Sequence, residues 1–211
     1  MQLLNGLIPT TTALQELDLR HNKLADAGTV ALADGLKKCN KQLNTIRLAR
    51  NGITDKGATA LASFLADTDA SKGVKTLDLS LNAMRDDKAL GNALATNTGL
   101  TTLDLSSNAL RTGRAIAAAL SKNRTLTHGH LLFNPLDVGS AAALAEALRA
   151  SRADGVPLTL CGTSPDAEAI LLSRRGMRSG DAMLLAAELE TAPKVRTVDL
   201  SYNMLGPEAA A

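Results

Sequence analysis

Aromatic residues are nearly missing from this sequence of 211 residues: it has no Trp, and only Phe64, Phe133 and Tyr202 represent the other ring types. A chain of this length still has to bury a core, so that core must be made of Leu, Ile, Val and Ala. Cysteine is scarce too. Cys39 and Cys161 are too few for a disulfide framework and read as free thiols in a reducing compartment. The opening MQLLNGLIP has no basic stretch and is broken by Asn5 and Gly6, which argues against a signal peptide. No apolar run approaches the roughly 18 residues of a membrane span. Nor does one sign of charge dominate. Lys and Arg total 23 against 21 Asp and Glu, and the halves share the balance, 12 against 11 through Leu105 and 11 against 10 beyond it. That excludes a nucleic-acid arm or an acidic tail, while 45% hydrophobic and 21% charged content excludes disorder. A cytoplasmic, non-secreted protein is expected.

What the sequence does have is a period. Leu14, Leu17, Leu19, Asn22 and Leu24 share their spacing with Leu43, Ile46, Leu48, Asn51 and Ile53, and with Val74, Leu77, Leu79, Asn82 and Met84. The stretches 100–110 and 195–205 repeat it, and 126–136 keeps the frame with Gly129 in place of a leucine. Counted at positions 17, 46, 77, 103 and 129, the spacings are 29, 31, 26 and 26. After each such stretch come apolar pairs four apart: Leu32/Leu36, Leu61/Leu65, Leu90/Leu94, Ile116/Leu120, Leu144/Leu148 and Leu185/Leu189. Period two, a strand, thus alternates with period 3.6, a helix. Asn40, Asn97 and Asn123 follow the helical stretches where a residue tolerant of left-handed geometry would end them.

The L-x-x-L-x-L-x-x-N-x-L array resembles the leucine-rich repeats, and its long, half-helical period resembles their ribonuclease-inhibitor-like class. The resemblance implies an α/β leucine-rich-repeat solenoid of about seven units, with parallel strands on the concave face and helices on the convex face. Elementary geometry agrees: strands stack about 4.8 Å apart and helices roughly 10 Å, so such a stack curves toward its strands. The column Asn22, Asn51, Asn82, Asn108, Asn134 and Asn203 falls where the chain leaves the sheet. Inward amides there would satisfy backbone groups that have lost ladder partners.

The period fails once. The next good anchor after 129 is Ile170, 41 residues on, and 170–182 aligns with 103–115, with Arg175 in place of the asparagine. On that frame 151–166 is an insertion in a single solenoid domain spanning 1–211, a projecting loop or an added strand. A competing frame takes Leu158 and Leu160 as the strand and moves the extra residues to 162–179. Both ends look cut: Gln2 and Ile8 bound what resembles the tail of a preceding helix, and the seventh unit reaches GPEAAA with no polar cap.

No chemistry-bearing motif is present: no glycine-rich phosphate loop, H-E-x-x-H, C-x-x-C or nucleophile elbow occurs. His128 and His130 would share a strand face near Asp104, but two histidines and one aspartate lack a clear further ligand. His21 has no partner pattern, and Cys39 reads as a small buried residue. No enzyme activity, cofactor, metal or small-molecule substrate is therefore expected. The expected function is protein–protein interaction or scaffolding within a larger assembly. The alternative is a regulatory repeat module of the kind the resemblance suggests, activating a small GTPase or serving a sensor. Candidate concave-face contacts are Asp18, Arg20, Arg47, Asp78, Asp104, His128, His130 and Asp199. Asp78 and Asp104, expected on adjacent strands, would repel unless solvated or met by a basic partner. Val198, Leu200 and Leu205 are candidate contacts at a C-terminal apolar edge, through which self-association is expected.

Overall fold

In the computed structural model, residues 13–38, 42–164 and 166–207 are described. Each L-x-L forms a strand of three residues: β1 Glu16–Asp18, β2 Thr45–Arg47, β3 Thr76–Asp78, β4 Thr102–Asp104, β5 His128–His130, β6 Ala169–Leu171 and β7 Thr197–Asp199. The anchors stack in register, Leu17 on Ile46 on Leu77 on Leu103 on Gly129, in one parallel sheet β1–β5. The strands β6 and β7 pair separately, Ile170 on Val198. Each strand but β7 is followed by a described helix: α1 Ala25–Leu36, α2 Asp55–Ala66 with a short α3 Thr68–Ser71, α4 Lys88–Leu94, α5 Arg114–Leu120, α6 Val138–Ala153 and α7 Ser179–Leu189. The leucine pairs four apart face the strands and are buried, with Leu189 only partly so, in one core from Leu32 to Ala187. The long helices pack one on the next, α1 on α2, α2 on α4, α4 on α5, α5 on α6 and α6 on α7, with the short α3 against α2. The helical layer is continuous where the sheet is not.

Three polar columns hold the units together. In the first, Asn108 Nδ2 donates to the carbonyls of Leu79 and Leu105 and its Oδ1 accepts the Met84 N–H, 3.0–3.2 Å apart. Asn51, Asn82, Asn134 and Asn203 do the same in their units. The residue before each ladder position, from His21 through Leu81 and Phe133 to Tyr202, has a left-handed φ of 54° to 64°, so the strand exits by the same tight turn in every unit. The second column corrects an expectation. Asn97 and Asn123 do not adopt left-handed geometry. They are buried, donate to the carbonyls of Leu65 and Leu94, and accept the Leu100 and Leu126 N–H groups, which makes them a second ladder at the C-terminal ends of the helices. The third column links helix starts: Asp26 accepts from the Thr54 and Gly57 N–H groups, Asp55 from Arg85 and Asp86, and Asp87 from Ile116. Each carboxylate satisfies N–H groups at the start of the following unit. Asn40 and Cys39, and Gln2 through Ile8, lie outside the described residues.

The proposed insertion at 151–166 also needs correction. Helix α6 runs through Ala153, with Ser151 buried and donating to the Leu120 carbonyl. The segment that follows then occupies a strand position beside β5. Thr159 N–H donates to the Thr127 carbonyl, while the Gly129 and Leu131 N–H groups donate to Thr159 and Leu160. Leu158 and Leu160 are both 1% exposed. These leucines are core anchors, as the competing frame has it, yet β6 and α7 also form the unit aligned at Ile170. The added strand simply carries no helix of its own. Its neighbour Gly129 explains the fit, because a Cβ there would stand 2.8 Å from Leu160 Cδ2 and 3.1 Å from the Thr159 carbonyl.

Candidate protein-interaction surface

Side chains at the two flanking positions of each strand point away from the helices, and parallel pairing lines them up across the sheet. One row runs Asp18, Arg47, Asp78, Asp104, His130. Much of it is already engaged. Arg20 pairs with Asp18 at 2.7 Å, and Arg47 pairs with Glu16. The Arg20 guanidinium and backbone N–H hold the Asp18 carboxyl down at about 2. A local motif recurs along the row: Asp18, Asp78, Asp104 and Asp199 each accept the N–H two residues on, at 2.8–3.0 Å. That is the habit of aspartate at a strand exit, and it accounts for a good part of the acidic column without a partner.

Asp78 and Asp104 do stand side by side, as expected. The Ser80 hydroxyl donates to the first at 2.7 Å, and His130 Nδ1 lies 3.5 Å from the second. Burial pushes the Asp104 carboxyl up, but His130 and Ser106 outweigh it and hold it below the usual range. His128 is on the same face with its Nδ1 2.8 Å from the Thr127 hydroxyl. Among the described residues, no group of three His, Cys, Asp or Glu side chains could hold a metal.

Beyond β5 the concave surface opens into a cleft. Its walls are the 161–164 stretch on one side and β6 on the other, with Leu132, Phe133 and Arg175 between them, enclosing about 380 Å³. Phe133 and Arg175 also line a second hollow of about 310 Å³ with Pro135, Arg178 and Met204. Two carboxylates absent from the candidate residues finish the backbone on the cleft's inner side. Asp181, 1% exposed, accepts the Phe133 N–H at 2.7 Å and the Arg178 N–H at 2.9 Å. In the other units the N–H equivalent to that of Phe133 goes to a carbonyl of the next unit, so Asp181 stands in for a strand partner that is missing here, and burial pushes its carboxyl up. Glu188, 3% exposed, accepts the Leu160 and Cys161 N–H groups at 2.6 and 3.0 Å, together with the Thr163 hydroxyl. Burial, and then the Glu188 charge, push the Cys161 thiol well up, so it is a packed, unreactive thiol. The signal for both acids was in the sequence: Asp181 and Glu188 lie three before and four after Leu184, on the apolar stripe.

The C-terminal candidates separate. Val198 is 42% and Leu205 37% exposed, whereas Leu200 packs against the core. No described helix is long and apolar enough to cross a membrane.

Strand–turn–helix units locked by inward asparagines define a leucine-rich-repeat solenoid. Comparison with known proteins agrees. The leucine-rich repeat family matches residues 12–33, 39–62 and 96–112. The Mus musculus ribonuclease inhibitor is 36% identical over 83 residues, which make up 39% of this chain and 18% of that protein. Homo sapiens NACHT, LRR and PYD domains-containing protein 12 is 34% identical over 83 residues, 39% of this chain and 8% of that protein. The matched region is thus under a fifth of either relative's length. Among solved structures, the Caenorhabditis elegans tropomodulin C-terminal domain superposes with a TM-score of 0.52 at 15% identity, covering 73% of this chain and 93% of that one. Leiomodin-1 actin-binding site 2 gives 0.53 at 21%, covering 73% and 88%. Identities this low speak for the fold alone. The chain thus has the leucine-rich-repeat fold, and over the matched region its repeats are similar to those of the ribonuclease inhibitor.

Proposed function

We propose that this chain is a non-catalytic protein-interaction module of an intracellular assembly, and that it binds its partner across the concave sheet and the cleft beside it. One observation carries the reading: five strands in strict register display a continuous row of charged and polar side chains, Asp18 through His130, backed by a rigid core. Sites on rigid elements hold geometry that loops do not. The row is acidic at Asp78 and Asp104, while Arg174, Arg175 and Arg178 lie past β6, so the fitting partner is dipolar, with a basic part over β3–β4. Opposed patches of this kind steer association and fix register. Val198 and Leu205 offer a second, apolar contact.

A photo-crosslinking residue at Thr76 or Thr102, introduced into the protein in cells, should yield a discrete protein adduct. The same residue at Lys122, on the convex side, should not. Adducts from the convex position alone would overturn the concave assignment, and none from any position would overturn the interaction reading. The alternative, a regulatory repeat module of the small-GTPase-activator or sensor kind, draws support from the similarity to the human NACHT-containing protein. It would be favoured if the adduct were a single small GTPase or a domain of the same polypeptide.

A further inference from the structure

The break in the sheet leaves one strand edge without a partner. Strand β6 pairs only with β7, and parallel pairing assigns Ile170 and Leu172 to that side, with Leu172 N–H donating to the Asp199 carbonyl. The N–H and C=O groups of Ala169 and Leu171 therefore face the cleft, and among the described residues none of them is paired. The opposite wall offers no strand edge of its own, because Glu188 has taken the Leu160 and Cys161 N–H groups. An exposed apolar edge is normally blunted by charge, proline or a covering loop. Here the edge carries Leu171, 63% exposed, beside a cleft floored by Leu132 and Phe133.

Charge distinguishes the cleft's two ends. Where β6 ends, Arg175 and Arg178 line the second hollow, and no described carboxylate lies within salt-bridge distance of either. Arg20, Arg114, Arg124 and Arg149 do have such partners, whereas Arg50, Arg85, Arg111, Arg174 and Arg196 are exposed and, like Arg175 and Arg178, have none among the described residues. What sets Arg175 and Arg178 apart is their place together at the end of the open edge. The two arginines share the hollow with Phe133, Met204 and the buried Asp181, whose carboxylate is already occupied by the Phe133 and Arg178 N–H groups, and two guanidiniums at the rim suit an incoming carboxylate.

Resting on the interaction reading above, we propose that the cleft takes an extended peptide segment of a partner protein. The segment adds as a parallel strand to the open edge of β6, sets alternate apolar side chains against Leu132, Phe133 and Leu171, and ends in acidic residues at Arg175 and Arg178. Main-chain hydrogen bonds supply affinity in this mode, and alternate side chains supply selectivity.

The test uses fluorescent peptides of alternating Leu and Thr that end in Asp-Glu or in Lys-Lys, titrated against the full chain by anisotropy. The acidic-ended peptide should bind, and the basic-ended one should bind roughly tenfold or more weakly. Joint Arg175→Glu and Arg178→Glu should reverse that preference. Leu171→Pro removes one of the two N–H groups aimed into the cleft, from an edge position where proline is tolerated, so it should weaken binding roughly tenfold with the unfolding midpoint unchanged. N-methylation along the peptide should abolish binding at every second residue only. No binding of the acidic peptide, binding indifferent to Leu171→Pro, or a methylation profile without period two would each overturn the strand-addition proposal. If crosslinks from Thr76 and Thr102 still formed, the interaction reading would survive that failure; loss of those crosslinks would be its own, separate refutation.

Discussion

Replacing Asn108 with alanine probes the ladder at a buried position in mid-sheet, and the cost can be worked out atom by atom. The side chain is 9% exposed. Its Nδ2 serves the carbonyls of Leu79, Leu105 and Ser106, but each of these keeps another donor: Asn82 Nδ2 for Leu79, Asn134 Nδ2 for Leu105, and the Leu81 N–H for Ser106. The Met84 N–H is different. It donates to Asn108 Oδ1, and Met84 is fully buried. The alanine variant orphans one buried donor, which costs roughly 1–3 kcal/mol. Asn108→Asp keeps that acceptor but turns a buried negative charge toward three carbonyl oxygens, so it should cost more than alanine at neutral pH. Asn22→Ala is the internal control, since that side chain is exposed and, among the described residues, serves the carbonyls of Leu19 and Arg20 alone; it should stay within about 0.5 kcal/mol of the parent. Urea unfolding followed by circular dichroism, compared at constant slope, reads all three. An aspartate variant as stable as the parent, or alanine variants equal at positions 22 and 108, would refute the inward-ladder reasoning.

Restoring the repeat consensus with Gly129→Leu should destabilise, by roughly 1–3 kcal/mol of overpacking, because even a Cβ there meets Leu160 and Thr159; a higher midpoint would show that the 156–161 segment yields readily. Leu160→Ala should cost roughly 2–5 kcal/mol, and deletion of 156–161 should lower the midpoint further by baring β5, whereas an insertion outside the core would be removed at no cost. Burial raises the Asp26 carboxyl, but the Thr54 hydroxyl and the Thr54 and Gly57 N–H groups outweigh it and hold it below 3.8. The stability it contributes is therefore complete above that value and lost as pH falls through the lowered folded-state value. Asp26→Asn should destabilise at neutral pH and flatten the acid limb of the midpoint–pH curve, and an unaltered acid limb would count against the inter-unit cap.

The period was legible because every unit needs the same things: two leucines of one strand face in the core and one amide at the exit. Asn51, Asn108 and Asn134 do in the structure what their spacing demanded. Asn97 and Asn123 misled, since a residue that can adopt left-handed geometry need not do so, and burial at the helix ends gave their amides other work. The left-handed position fell instead on Leu81, Phe133 and Tyr202, residues whose type does not favour it. Counting spacings presumed that each strand brings its own helix, and for that reason the frames at 158 and 170 looked exclusive. For the candidate contacts, the row from Asp18 to His130 followed directly from register. The cleft did not, because it exists only through the packing of α6 on α7.

Four departures from the repeat are physically one. Gly129 gives up a leucine so that the 156–161 segment can approach, and that segment carries no helix. The next helix therefore packs straight onto α6, and α7 lies behind both the added strand and β6. From there it can reach each unfinished backbone: Glu188 meets Leu160 and Cys161, and Asp181, two turns earlier on the same face, meets Phe133. With those carboxylates in place the first sheet ends in satisfied groups, whereas β6 begins a second sheet whose leading edge has no such provision. Closing the gap by drawing β6 onto the added strand would strip Leu160 and Cys161 from Glu188 and shift α7 against Leu144 and Leu148, fully buried in α6. Close-packed cores resist that kind of continuous deformation. The open edge is thus held by the helices rather than left over from the strands.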